Sequence, residues 1–141
     1  MTGTGKIHKR VFGANSRSVS SIDDWVMAIA VDLGIDGRTA FAGRVCIAEL
    51  ADNVIEHGSP AADDQIVLSI GTTDGAMNIE FQDTVRAFDP TTIVGRPPHS
   101  EAYEGGRGLM IVKSYADTLE YWHDGHRNNV KLRINPSNRR R

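Results

Sequence analysis

One stretch restricts the folding of this chain more than any other. Ile47, Leu50, Ala51 and Val54 recur at spacings of 3, 4 and 7, so the residues up to His57 read as a helix with an apolar stripe to bury. Glu49, Asn53 and His57 recur every four residues on the same helix. At about 100° per residue they fall within roughly 80° of one another, on a strip beside the apolar one. A polar strip bordering a buried one describes the wall of a pocket, and it equally describes the ordinary wet face of an amphipathic helix. Cys46 projects to the Glu49 and Asn53 side, where it either touches a ligand or packs as a small buried side chain.

A chain of 141 residues is long enough for one domain to bury its own core around such a helix. With a single cysteine it has neither an internal disulfide nor a second thiol for a zinc site. No apolar run approaches the roughly 18 residues of a membrane helix, and the first twelve residues, MTGTGKIHKRVF, contain no apolar signal core, so a cytoplasmic protein is expected. A formal net charge of −2 argues against nucleic acid as the main partner, because binding a phosphate backbone needs concentrated basic surface. The one basic cluster, Arg139 to Arg141, closes a short tail (136–141) that is either solvated or turned towards an acidic partner.

In chain order, Lys6 to Phe12 suits a short edge strand. The serines from Ser16 to Ser21 offer N-caps for a helix with Asp23 and Asp24 in its first turn, Ile22, Val26, Ile29, Ala30 and Leu33 on its apolar face, and a stop at Gly34. Asp36 caps the helix that runs to His57, which Gly43 weakens slightly. The period then changes to two. Gln65 to Ile70 and Ala76 to Gln82, joined by a turn at Thr73, Asp74 and Gly75, read as an antiparallel hairpin with Met77, Ile79 and Phe81 facing inwards. Asp83 ends that strand. From Thr84 to Gly106 no period is visible, which predicts a lid, a binding loop or a surface excursion. Gly105, Gly106 and Gly108 precede Leu109 to Ala116, a glycine-rich turn opening a helix, whose free N–H groups suit an anion. It is neither a Walker phosphate loop nor a dinucleotide fingerprint, since both the lysine ending and the third glycine are missing. Thr118 to His123 and Val130 to Ile134 form a second hairpin.

Three stretches in this order, Ala48 to Gly58 (AELADNVIEHG), Asp83 to Pro90 (DTVRAFDP) and Glu104 to Thr118 (EGGRGLMIVKSYADT), resemble the nucleotide-binding domain shared by gyrase, histidine kinases and MutL, the GHKL superfamily. Within it the chain looks most like anti-sigma factor serine kinases of the RsbW and SpoIIAB type. The resemblance implies ATP and Mg²⁺ as cofactors, with Asn53 as the metal ligand and Glu49 orienting or deprotonating the attacking hydroxyl. It implies that Asp83 accepts a hydrogen bond from the adenine amino group, that Gly106 and Gly108 admit the phosphates, and that Arg107 reaches a phosphate or stands exposed on the lid. His57 is expected to be structural. The implied partners are an anti-anti-sigma protein of the STAS fold, a sigma factor and a second copy of the chain.

Two departures bear on this. Val85 and Ala87 stand where the family pattern after the aspartate has glycines, and a Cβ there can crowd a base or strain the turn. The family's threonine on the last hairpin is also missing, with Asn128 and Asn129 nearest. A nucleotide-impaired module acting only by protein contact is therefore the alternative function. A histidine kinase fragment is less suited, since the chain has no room for a phosphoacceptor helical domain. The expected fold is an α/β (α+β) two-layer sandwich over residues 1–135, a mixed, mostly antiparallel sheet with helices on one face. The nucleotide would lie between the Glu49 helix and the loop after Asp83.

Overall fold

A computed structural model describes residues 6–85 and 110–136. Seven elements run in the order β1 (His8–Gly13), α1 (Ser18–Asp32), α2 (Gly37–His57), β2 (Gln65–Thr73), β3 (Ala76–Asp83), β4 (Thr118–His123) and β5 (Asn128–Ile134). Residues 110–115 are also helical. The strands form one sheet in the order β1-β2-β3-β5-β4. Every pairing among the described residues is antiparallel, so the mixture of parallel and antiparallel pairing expected from sequence resolves to the antiparallel kind.

Strand alternation decides which side chains meet the helices. Register places Phe12, Ile66, Asp83 and Asn128 in one row across the sheet, with Leu68, Phe81, Val130 and Tyr121 in the next and Ile70, Ile79, Leu132 and Leu119 beyond it. Ile22, Val26 and Ile29 of α1, with Ile47, Leu50 and Val54 of α2, complete the same buried cluster. The opposite face carries Lys9, Ser69, Glu80, Lys131 and Glu120 in register, a row of alternating charge that suits water. No helix among the described residues is long and apolar enough to cross a membrane.

Local chemistry accounts for the boundaries. Asp74 and Gly75 both have positive φ, 54° and 84°, the conformation a two-residue hairpin turn requires. Gly34 lies just after α1 at φ 70°, where any Cβ would be strained. Gly43 has a different reason to lack a side chain: a Cβ there would lie 2.8 Å from Met77 Cε, so α2 lies on β3 at glycine distance. Asp36 caps α2 as expected, Oδ1 accepting from Thr39 N at 2.9 Å and Oδ2 from Thr39 Oγ1 at 2.8 Å. Asp36→Ala is expected to destabilise the fold by about 1 kcal/mol in urea denaturation, with Asp36→Ser recovering most of it. An unchanged midpoint would contradict the cap.

The start of α1 departs from expectation. The helix begins at Ser18 behind Arg17, which makes no side-chain cap bond, and its first turn holds no acidic residue. Asp23 lies further in and has another partner, accepting from Arg44 Nε at 2.9 Å and from Arg44 Nη2 at 3.0 Å. This two-pronged bond ties α1 to α2 and explains why the carboxylate is not spent on the helix dipole.

Candidate functional site

The middle of α2 decides the character of the site. Asn53 lies three residues after Leu50 and seven after Cys46, so it shares the row that faces the sheet and is only 4% exposed. Glu49 and His57, one turn to either side, drift off that row and are half-buried. The predicted polar strip is therefore graded, with its central amide inside the core and its two ends at the margin. Cys46 is fully buried, its thiol turned to the carbonyl of Val112 at 3.9 Å.

Asn53 shares a small cavity with Leu50, Val54, Phe81, Asp83, Asn128 and Val130, the polar groups meeting at one end of the interface between α2 and the sheet. Its volume of about 10 Å³ matches a single water position. Asn53 Nδ2 is buried with no hydrogen-bond partner among the described residues. An unsatisfied buried amide costs about 1–3 kcal/mol, which a bound ligand or water would relieve. A half-turn of the amide exchanges its oxygen and nitrogen with little change of shape, so the same position can offer a donor or an oxygen ligand.

Asp83 forms the other wall. As the last residue of β3 it faces the helices and is 3% exposed. Its Oδ1 accepts from Asn128 Nδ2 at 2.8 Å and from the Val85 backbone N at 3.2 Å. Asn128 Nδ2 also donates to the Val85 carbonyl at 3.2 Å, while Asn128 Oδ1 accepts from the Tyr121 hydroxyl at 2.7 Å. Burial pushes the Asp83 carboxyl up to about 6. The bonds from Asn128 and Val85 hold it down in part, the charge of Asp64 raises it, and that of His123 lowers it. Glu49 is raised too, first by burial and then by the negative charges of Asp52 and Glu56. Asp52, also raised by burial, sits beside it on α2.

The structure thus brings Asn53 and Asp83 to one cavity, with Glu49 one helical turn away. Gly106, Arg107 and Gly108 lie outside the described residues, as do Ala87 and most of the predicted lid. Val85 is described: its side chain is 2% exposed in the main core cluster, and its backbone clasps the Asp83–Asn128 pair. Sequence reading named Asn128 only as the neighbour of a missing threonine and passed over Tyr121 entirely. Strand alternation could have found it, because Tyr121 pairs with Val130 and so lies diagonal to Asn128 on the inner face. Among the described residues no three His, Cys, Asp or Glu side chains converge as a metal site.

Comparison with known proteins bears on the fold and the family. No curated protein matches the chain by sequence. Among solved structures it resembles the RsbU and RsbW domains of Rv1364c from Mycobacterium tuberculosis, with a TM-score of 0.68 at 13% identity over 93% of this chain. The match takes in 32% of that longer chain, so it is a likeness of fold over about a third of its length. A family model described as the histidine kinase-like ATPase domain matches residues 12–134, nearly the whole of the chain. On that match, this chain belongs to the histidine kinase-like ATPase domain family.

Proposed function

We propose that this chain is a cytoplasmic anti-sigma regulatory kinase. It would bind Mg·ATP in the cleft between α2 and the ends of β3 and β5, phosphorylate a serine or threonine of an anti-anti-sigma partner of the STAS fold, and sequester a sigma factor as a homodimer. The observation that carries the reading is the buried amide of Asn53, whose Nδ2 has no partner among the described residues and which lines the same cavity as Asp83, in a chain that belongs to an ATPase family. Bound Mg·ATP would supply the transferable phosphoryl group and the cation that neutralises its charge.

The residues of the chain divide the rest of the work. Asn53 would present its oxygen to the cation, since Mg²⁺ takes oxygen ligands. Asp83 would accept the hydrogen bond of the adenine amino group. Glu49, its carboxyl raised by burial and by its acidic neighbours, would orient the attacking hydroxyl and take its proton. Gly106, Gly108 and Arg107 would close on the phosphates.

One observation favours the second reading, a module that binds proteins but not nucleotide. Among the described residues the cavity has room for about one water, and Val85, whose backbone bonds to Asp83 and Asn128, is packed into the core, so a purine would need that wall to move. Calorimetry with Mg·ATP separates the two readings. The kinase reading expects a dissociation constant below about 1 mM, as for working enzymes, weakened at least about tenfold in Asn53→Ala. No heat at millimolar Mg·ATP would leave the binding module.

A further inference from the structure

Tyr121, Asn128 and Asp83 form an unbroken hydrogen-bonded line across β4, β5 and β3. Its chemistry allows one orientation at each link. Both groups facing Asn128 Nδ2, the Asp83 carboxylate and the Val85 carbonyl, are acceptors, so the amide nitrogen must point at them. The amide oxygen is then left for the Tyr121 hydroxyl, which donates to it at 2.7 Å. An amide turned the other way would set its oxygen against both the Asp83 carboxylate and the Val85 carbonyl. Asp83 Oδ1 receives two donors in this arrangement, and Oδ2 has no partner among the described residues.

We propose that Tyr121 and Asn128 are positioning residues that hold Asp83 with Oδ1 occupied and Oδ2 free, making the carboxylate a one-atom acceptor selective for a base that carries an exocyclic amino group. Tyr121 touches no ligand in this arrangement. It acts by locking the amide of Asn128, which in turn stops the carboxylate from rotating. A purine with a carbonyl at the same place, as in inosine nucleotides, would set oxygen against oxygen and be rejected. The proposal rests on the nucleotide reading of the cleft, and it goes beyond that reading in assigning base selectivity to a tyrosine two strands away from Asp83.

The test is the ratio of affinities for Mg·ATP and Mg·ITP, measured by calorimetry on the full chain and on Tyr121→Phe, Asn128→Ala and the double variant. The unmodified chain is expected to prefer Mg·ATP, and Tyr121→Phe to shrink that preference about tenfold while Mg·ITP affinity stays level, the effect of one lost hydrogen bond. The double variant should lose no more than Asn128→Ala alone, since the two residues act through one line. If Tyr121→Phe weakens both nucleotides equally, or leaves the ratio unchanged in a chain that does discriminate, the positioning role is overturned while the nucleotide site stands. If the unmodified chain binds neither nucleotide, the functional reading fails and this proposal with it.

Discussion

Asp83→Asn is expected to stabilise the folded chain at pH 8 while weakening Mg·ATP binding by about 10- to 100-fold, the worth of a hydrogen bond to a charged acceptor. The two effects share one cause. The Asp83 carboxyl ionises near 3.8 when solvated and at about 6 in the fold, so the native state holds its proton more tightly than the unfolded one. Stability linked to this group is therefore undiminished below about pH 4, falls as pH rises from there to about 6, and stays reduced above. A shift of this size corresponds to about 3 kcal/mol at pH 8 and about half of that at pH 5. Asparagine keeps an oxygen for the Val85 N–H and Asn128 Nδ2 and removes the charge, but it places a donor where Oδ2 stood. The net gain at pH 8 is thus expected at about 1–3 kcal/mol by urea denaturation, shrinking as pH is lowered. A variant less stable than the unmodified chain at pH 8 would show that the charge is better solvated than its burial implies.

The second large effect is expected at Glu49. Removing a general base typically costs about 10²- to 10⁴-fold, so Glu49→Gln should abolish most radiolabel transfer from ATP to the partner while leaving Mg·ATP affinity nearly unchanged. The pH profile gives an independent sign. Activity that needs the Glu49 carboxylate rises with pH through its ionisation, and that acidic limb should vanish in Glu49→Gln. Asp52→Asn is the informative companion. It removes one of the negative charges that raise Glu49, so the limb should move to lower pH with transfer retained. If instead Asp52→Asn loses transfer and Glu49→Gln keeps it, the two carboxylates have been assigned the wrong way round.

The pairing of Asp23 with Arg44 and the burial of Asn53 show where one-dimensional reading stops. Two acidic residues behind a run of serines look like the first turn of a helix, and only the approach of α2 reveals that Asp23 belongs to a contact between helices. Likewise Glu49, Asn53 and His57 look equivalent at a spacing of four. Packing against the sheet then buries the middle one and leaves the outer two at the edge.

Apolar spacing and turn chemistry are local, and through them the amino-acid sequence alone determined two amphipathic helices stopped at Gly34 and Gly58, a hairpin turning at Asp74 and Gly75, a second hairpin, and the inward row of Met77, Ile79 and Phe81. The tertiary structure decided everything that depends on residues far apart in the chain. Sheet order set β5 beside β3, and this brought Asn128 within 2.8 Å of Asp83 and drew Tyr121 in behind it. The same packing closed α2 over that pair, sized their cavity to a single water, and raised the Asp83 carboxyl by burial. Hydrogen bonds and desolvation act over a few ångströms of space, and no spacing along the chain encodes which strands will lie side by side.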